Sequence, residues 1–551
     1  VIRGPFRRLF GAVAALTAAL AAAGGVPSAA AAPALHGWTQ PDTLRLQVSA
    51  SPHTLNPILN TNQEDAWLGS LAFDLLVTAD ARGNLVPQLA AEVPTQRNSG
   101  ISRDGLTIAY KLRHGVRWHD GAPFTSADVA FTYRAIMDPR TNMEGRVGYE
   151  RIARVETPDP YTVVFRLREK WAPFVRTVFS EAASVYRILP AHLLAHAADI
   201  NRADFNAHPI GTGPYRFVRW QRGDRIEYAA NAAYFGGKPR IARIVVREIP
   251  DQNTVGILVQ RHDIDLAFVD SATFAAHRAD RDLRAELLPE NAFVAYELNT
   301  TRPPFDDVRV RRAVAAAIDR DALVRKNTFG TGVLAYADIP PRFWASGPPR
   351  DPNRFDAAAA GRLLDAAGWL RGADGMRAKA GRRLQVELAE FAGGTTLRTE
   401  DIQIQAELRT AGIDATIKTY ALPTYFAPAD AGGVLKGGKF DIAAFSWLSG
   451  IDLDDSALFT CAQRAPAGNN GARYCSPAME AAQRAALSTY DDTARRSVYA
   501  RIEDLLVRDV PAVFVYYPQR RTLANPDLRF PAGNFVELWW NVAAWSFEGN
   551  R

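Results

Sequence analysis

Cysteine, methionine and histidine are scarce in this chain: two, four and nine residues out of 551. Cys461 and Cys475 have no histidine near them in sequence, so a zinc site built on them lacks its remaining ligands. Runs of five or six like charges are missing too, and the formal excess of +6 is spread along the chain. A nucleic-acid surface therefore has no electrostatic basis. Nor is there any G-x-S-x-G, S-x-x-K or H-E-x-x-H signature of a hydrolase or zinc protease. Dispersed triads are recognised in space rather than in sequence, so an enzyme stays open as an alternative.

Three near-misses fail on chemistry. His114, His119 and Asp120 lie in a turn-rich stretch, at a spacing that suits no single helix face, so no metal is expected there. The segment Gly433–Phe440 nearly spells a phosphate-binding loop. Phe440 stands where a hydroxyl would be needed for magnesium. Gly211-Thr212-Gly213 runs into Pro214 and does not continue a dinucleotide fingerprint. No cofactor is implied.

Long apolar runs are also lacking. The clearest, from about Leu9 to Ala23, is short and rich in alanine, below the roughly 20 residues of a membrane span. Arg3, Arg7 and Arg8 precede it, and Pro27 and Ala29–Ala32 follow. This is the pattern of a secretory leader over residues 1–32, cleaved near 30–32. Arg7-Arg8-x-Phe10 also resembles a twin-arginine export signal. No cysteine lies near the cleavage point, so the expected product is periplasmic, with no lipid anchor. Losing the leader's three arginines brings the formal charge from +6 to +3. In an oxidising compartment a Cys461–Cys475 disulfide is favoured over two buried thiols. Closing that loop would stabilise by roughly 3 kcal/mol.

What remains, about 520 residues, exceeds one core and predicts two or three domains. With 47% hydrophobic and 10% aromatic residues it reads as globular. Strand and helix patterns alternate. Thr43–Ala50, Gly105–Arg113, Tyr161–Arg168 and Arg240–Ile249 alternate apolar and polar residues like half-buried strands. Thr125 and Asp128 predict the capped start of a helix. After Asp306 and Asp307, Val310, Ala313, Val314, Ala317 and Ile318 form one apolar helical stripe. Helices over Arg354–Trp369 and Arg398–Ile413 stop near Gly368 and Gly412, with strands at Arg382–Phe391 and Asp414–Leu422. Strand–helix–strand at this spacing predicts an α/β fold with a parallel sheet.

One stretch, Ser446–Asp455 (SWLSGIDLDD), sets Trp447 close to Asp452, Asp454 and Asp455. Its letters alone leave a metal loop, an acid pair, a pocket wall and a solvated turn all open.

Five segments taken in order carry a resemblance: Tyr110–Ile136 (YKLRHGVRWHDGAPFTSADVAFTYRAI), Pro209–Phe217 (PIGTGPYRF), Asn231–Ile241, Leu298–Val324 and Arg473–Leu487. Together they resemble the family 5 extracytoplasmic solute-binding proteins, the peptide- and nickel-type binding components of ABC importers. The likeness spans nearly the whole mature chain. It implies a two-lobe periplasmic binding protein fold (type II, cluster C), with an extra subdomain inserted in the first lobe. The expected bounds are 33–59, 207–290 and 510–551 for lobe I, 60–206 for the insert and 291–509 for lobe II. Hinges are expected near Asn291–Asn299 and Val510. The implied partners are a small solute, a peptide by preference, and the permease subunits; the implied state is a monomer. An exported hydrolase, or a sensory or chaperone-like binder on the same shell, is the alternative.

For the ligand site the resemblance points to Trp447 as an apolar wall. In peptide-binding relatives an aspartate three residues later holds the ligand's ammonium group, but here that position is Gly450. The chain is closer to a variant with the pattern W-x-x-G-x-D-P-D, though Leu453 replaces the proline. Asp452 is the expected substitute acid. Asn60, Thr61, Asn62, Tyr420 and Phe426 are the other candidates.

Overall fold

Two open sheets carry the fold in a computed structural model describing residues 34–548 other than 61, 183, 349, 394, 532 and 533. The leader and Thr61 lie outside the described residues. The first sheet runs, edge to edge, through Arg284–Pro289, Gln519–Ala524, Leu266–Val269, Thr43–Val48, Arg243–Glu248, Arg225–Ala230 and Tyr215–Gln221. The second runs through Val333–Leu334, Ala512–Tyr517, Ala292–Leu298, Ile442–Leu448, Gln385–Phe391 and Asp414–Tyr420.

Local chemistry accounts for many of these elements. The helix Ser126–Met137 begins where the Asp128 carboxylate accepts the Thr125 amide at 2.8 Å. Asp307 caps Val308–Ala317 by accepting the Arg309 amide at 2.9 Å. Ala357–Ala366 and Thr395–Thr410 are followed by Gly368 and Gly412 at φ of +85° and +87°, a left-handed turn that glycine adopts without strain. The strands Ala292–Leu298, Ile442–Leu448 and Ala512–Tyr517 are almost unbroken apolar runs because they lie inside the second sheet.

The chain passes from the first sheet to the second between Pro289 and Ala292, and returns between Tyr517 and Gln519. This corrects the expected return near Val510. The strand Ala512–Tyr517 pairs with Ala292–Leu298 and so belongs to the second lobe. Of the expected hinge residues Asn291–Asn299, Ala292–Leu298 is held on both sides by neighbouring strands, which leaves the outward crossing at residues 290–291.

Within residues 60–206, an antiparallel sheet of Thr107–Lys111, Thr162–Leu167 and Ile152–Asp159 packs with Ser126–Met137. It has no core of its own. One continuous apolar cluster takes Leu44 and Leu46 from the first sheet, Trp67 and Leu71, then Phe165 and Trp171, and Trp539 and Trp545 near the end of the chain. At the junction the buried His119 ring joins the Gly211–Gly213 turn. Its Nδ1 accepts the Gly211 amide at 3.2 Å and its Nε2 donates to the Gly213 carbonyl at 3.0 Å. Burial holds this imidazole neutral, with its pKa lowered to about 4. Asn231 donates to the same Gly213 carbonyl, and Thr212 to the buried Asp74. Three of the five segments that carry the family resemblance therefore meet in a scaffold.

That scaffold has no room at its glycines. A Cβ on Gly211 would sit 1.7 Å from the Ala72 carbonyl oxygen. Gly211→Ala should therefore destabilise the fold by on the order of 3 kcal/mol, read as a lowered urea midpoint at unchanged slope.

Candidate functional site

Strand direction locates the site. In the second sheet Gln385–Phe391 runs parallel to both Asp414–Tyr420 and Ile442–Leu448, so their carboxyl ends share one edge. Leu448 pairs with Ala292, the first strand residue after the crossing, which puts that edge toward the first lobe. In the first sheet Thr43–Val48, Arg243–Glu248 and Leu266–Val269 are parallel to one another. Val269 pairs with Arg521, just past the return crossing. Both lobes thus present the carboxyl ends of their parallel strands to each other, the place where open α/β sheets bind ligands.

The second-lobe edge is aromatic. Trp447 is half-buried, with its ring 6.1 Å from Phe445 at an interplanar angle of 22°. Tyr420 ends its strand, donates its hydroxyl to Glu387 at 2.7 Å and lies under the Lys418 ammonium. Phe426 follows on the short helix Leu422–Phe426, is 53% exposed, and packs on Phe391 and Tyr425. Asn60 and Asn62 have structural work. Asn60 is buried and donates to the Val185 carbonyl at 3.1 Å. Asn62 caps the helix Gln63–Ala72 by accepting the Asp65 amide at 2.9 Å.

The stretch Ser446–Asp455 leaves its strand and is pinned to both lobes. The Ser449 amide donates to the Asn291 carbonyl at 2.8 Å, and Asn291 donates its side chain to the Gly450 carbonyl. The Ile451 amide reaches across to the Glu181 carbonyl of the insert at 2.8 Å. The Ile451 side chain joins an apolar cluster with Ala66, Leu75, Ala79, Val185 and Val536. At Gly450 the two backbones approach closely. A Cβ there would lie 2.6 Å from the Ala182 Cα and 2.7 Å from the Glu181 carbonyl oxygen.

Asp452 is not a free acid. It is buried, and its two oxygens accept from the Arg495 guanidinium at 2.9 Å each. Burial opposes the arginine's charge, but Asp452 outweighs it and raises the Arg495 pKa. The Asp452 charge, expected to face the ligand, is thus balanced internally by Arg495. Asp454 turns back onto Ser456. Asp455 is buried, accepts from Gln483 at 2.7 Å and lies against Asp338. Burial and that neighbour hold its proton on far above the usual carboxylate range. Cys461 and Cys475 are disulfide-bonded and close the loop that follows.

Sequence reasoning missed Arg495 and Arg520, and read Asn291 only as part of a hinge. Arg495 had a readable signal. It shares a buried helical stripe with Tyr499, Ile502 and Leu506, and a charge on such a stripe demands a partner. Arg520 is fully buried just beyond the return crossing. It donates to the carbonyls of Asn534, Phe535 and Val536, with the Glu290 carboxylate 3.5 Å away.

A second acidic group lies under the same sheet. Glu390, Glu400 and Asp401 are all buried, and Tyr296 donates to Asp401 at 2.7 Å. Burial, reinforced by Glu390, raises the Asp401 pKa to about 8; burial raises Glu400 to about 7.

Two lobes facing each other through strand ends across two short crossings define a hinged solute-binding protein. The family model described as "Bacterial extracellular solute-binding proteins, family 5 Middle" matches residues 84–469, and the chain belongs to that family, the solute-binding components of ABC importers. It is 31% identical over 483 residues to Protein XP55 of Streptomyces lividans, covering 87% of this chain and 84% of that one. It is 26% identical over 504 residues to the oligopeptide-binding protein AppA of Bacillus subtilis, covering 89% and 90%. The structure matches NikZ of Campylobacter jejuni, solved in complex with Ni(L-His), with a TM-score of 0.73 and 26% identity over 92% of this chain and 100% of that one. The relatives named for an activity are binding proteins rather than enzymes. Among the described residues no helix is long and apolar enough to cross a membrane.

Asp452→Ala should lower stability by about 3–5 kcal/mol in urea, because it strands the buried Arg495 charge. A variant that kept wild-type stability and lost only ligand affinity would return Asp452 to the ligand. The acidic group predicts a pH effect of definite sign. The folded state keeps protons on Asp401 and Glu400 that an unfolded chain releases near pH 4. Stability should therefore fall as pH rises from about 4 to about 8. Asp401→Asn, which keeps the Tyr296 acceptor, should flatten that decline in thermal melts.

Proposed function

We propose that the protein captures a peptide, or a solute of similar size, between its lobes and delivers it to the permease of an ABC importer. The observation that carries this is the aromatic edge formed by Trp447, Tyr420 and Phe426 at carboxyl ends that face the other lobe. The likeness to AppA, named for oligopeptide binding, supports it. Ligand contacts on both lobes favour the closed arrangement, so binding shifts an equilibrium the protein already has. The protein itself does no chemistry. It works as a monomer, outside the cytoplasm, after loss of its leader.

The peptide is held differently from one anchored by an acid at position 450. Backbone from the insert fills that space, and the nearest acid, Asp452, is spent on Arg495. Recognition therefore rests on the aromatic faces and on main-chain groups, which favours apolar side chains over a fixed ammonium position.

Mass spectrometry of ligand retained through native purification tests the reading. Peptides of two to about eight residues should raise the melting temperature, by the equivalent of about 2.7 kcal/mol at a hundred times Kd. If none does, the peptide assignment falls; turnover of the retained ligand would end the binding-only reading. Phe426→Ala should weaken binding about tenfold with little change in melting temperature, since the ring is half exposed. Unchanged affinity would remove Phe426 from the site.

A further inference from the structure

The second lobe holds a cavity of about 270 Å³ on the side of its sheet where Val333 pairs with Tyr517, between the helix Asp492–Asp509 and residues 333–348 with Arg350. That equals the liquid volume of roughly nine waters. Leu334, Ile339, Pro341 and Val507 make its walls apolar. Tyr336, Ser346, Tyr517 and Glu503 add polarity. Arg350 and Asp504 also line it, but they pair with each other at 3.0 Å. Arg350 acts on Glu503 only at longer range, and among the described residues Glu503 makes no ion pair within 4 Å. Its Oε2 lies 3.4 Å from where a Cβ of Gly347, another lining residue, would stand, and among the described residues no hydrogen bond reaches the carboxyl. An apolar cavity with one such carboxyl is the usual form of a small-ligand site.

The same segment also touches the first lobe and its insert. Between its cavity-lining residues it carries Phe343 and Trp344. Phe343 packs edge-on against Phe535, with centroids 4.8 Å apart. Trp344 donates its indole N–H to the Ile451 carbonyl at 3.2 Å, and the Arg176 guanidinium of the insert lies over its ring at 4.6 Å. Arg496, on the helix that forms the far wall, donates to the Trp344 carbonyl at 3.0 Å. One short segment therefore has the cavity on one side and the lobe contact on the other.

We propose that this cavity is a second ligand site, taking a small molecule with an apolar body and one ammonium group, and that its occupation is coupled to the contact between the lobes. The ammonium pairs with Glu503, and the body fills the space between Ile339 and Val507. Burial, with Asp338 and Asp504 nearby, raises the Glu503 pKa to about 8, so an arriving cation also stabilises the ionised form. Coupling is reciprocal: whatever the cavity ligand does to the lobe contact, the lobe contact does to its affinity.

The test uses benzylamine and its neutral counterpart benzyl alcohol on the full chain, by calorimetry and by crystals grown with benzylamine. Benzylamine should bind with the wild type, and appear in the cavity. Glu503→Gln should weaken it at least tenfold while leaving benzyl alcohol unaffected. Ala500→Phe, which fills the cavity from the helix side, should abolish both. Saturating benzylamine should change hydrogen exchange at the Ile451 amide, which reports the contact with Glu181. No binding to the wild type, or binding indifferent to Ala500→Phe, overturns the site. Equal loss of both probes in Glu503→Gln overturns the ammonium class. Unaltered exchange at Ile451 overturns the coupling. The crystal and Glu503→Gln decide the site should Ala500→Phe fail to fold.

Discussion

A single buried guanidinium ties the molecule together where the chain changes lobe. Arg520 follows the return crossing, and Glu290 precedes the outward one, so their 3.5 Å approach fixes the two crossings side by side. The other Arg520 N–H groups hold the carbonyls of residues 534–536, and the guanidinium lies over the Trp67 ring at 5.7 Å. Burial works against this charge and lowers its pKa, with Glu290, Glu537 and Glu181 opposing that shift. Such a group is tolerable only while every partner is present. The consequence is geometric. The C-terminal segment, both crossings and the helix Gln63–Ala72 share one fixed point, and the strand ends of the two lobes face each other because of it.

Much of the periphery of this fold was legible and much of its centre was not. Thr162–Leu167 turns Val163, Phe165 and Leu167 to the core and leaves Val164 and Arg166 half-exposed, so its alternation was visible. Thr43–Val48 alternates in its letters although Thr43 and Gln47 are buried as well. Ser126–Met137 and Val308–Ala317 announced themselves through Asp128 and Asp307. The central strands of the second sheet gave no such pattern. Ala512–Tyr517 (AVFVYY) is covered on both faces and reads only as an apolar run. The expected return at 510 rested on the family resemblance, and no local alternation in Ala512–Tyr517 could have moved it past Tyr517. The pairing that corrects it, with Ala292–Leu298, joins residues more than 200 apart, beyond the reach of any local rule.

The site was legible in its aromatics and opaque in its acids. Trp447 and Tyr420 sit at strand ends and Phe426 on the short helix that follows one, and the family resemblance together with the aromatic letters pointed to them. Asp452, Asp454 and Asp455 looked alike in the sequence but have different partners: Arg495, Ser456, and Gln483 with Asp338. Arg495 is 43 residues from Asp452. Carboxylates that pair across such a separation are indistinguishable, letter by letter, from carboxylates offered to a ligand. The Gly450 substitution was visible, but its cause was not. It depends on the backbone at Glu181 and Ala182, from another part of the chain.

That contact bears on how selectivity arises. The lobes meet through modest links, among them the Ile451 amide on Glu181, the Phe343 ring on Phe535, Arg176 over Trp344 and paired with Asp492 at 2.9 Å, the Ala172 amide on the Leu487 carbonyl at 2.7 Å, and Tyr490 donating to the Gly105 carbonyl at 2.7 Å. Each is worth about 1 kcal/mol. Carrying a two-state equilibrium from one part in a hundred to ninety-nine takes about 5.5 kcal/mol of differential affinity. Lobe contacts that exist without ligand reduce what the ligand must supply. An acid at position 450 would have to displace the insert backbone before it could meet an ammonium group, losing part of that support. Glycine keeps the contact and gives up the anchor. On the proposed function, a protein built this way discriminates by how well a solute fills the space against the second lobe's aromatic edge, rather than by the charge at one end of it.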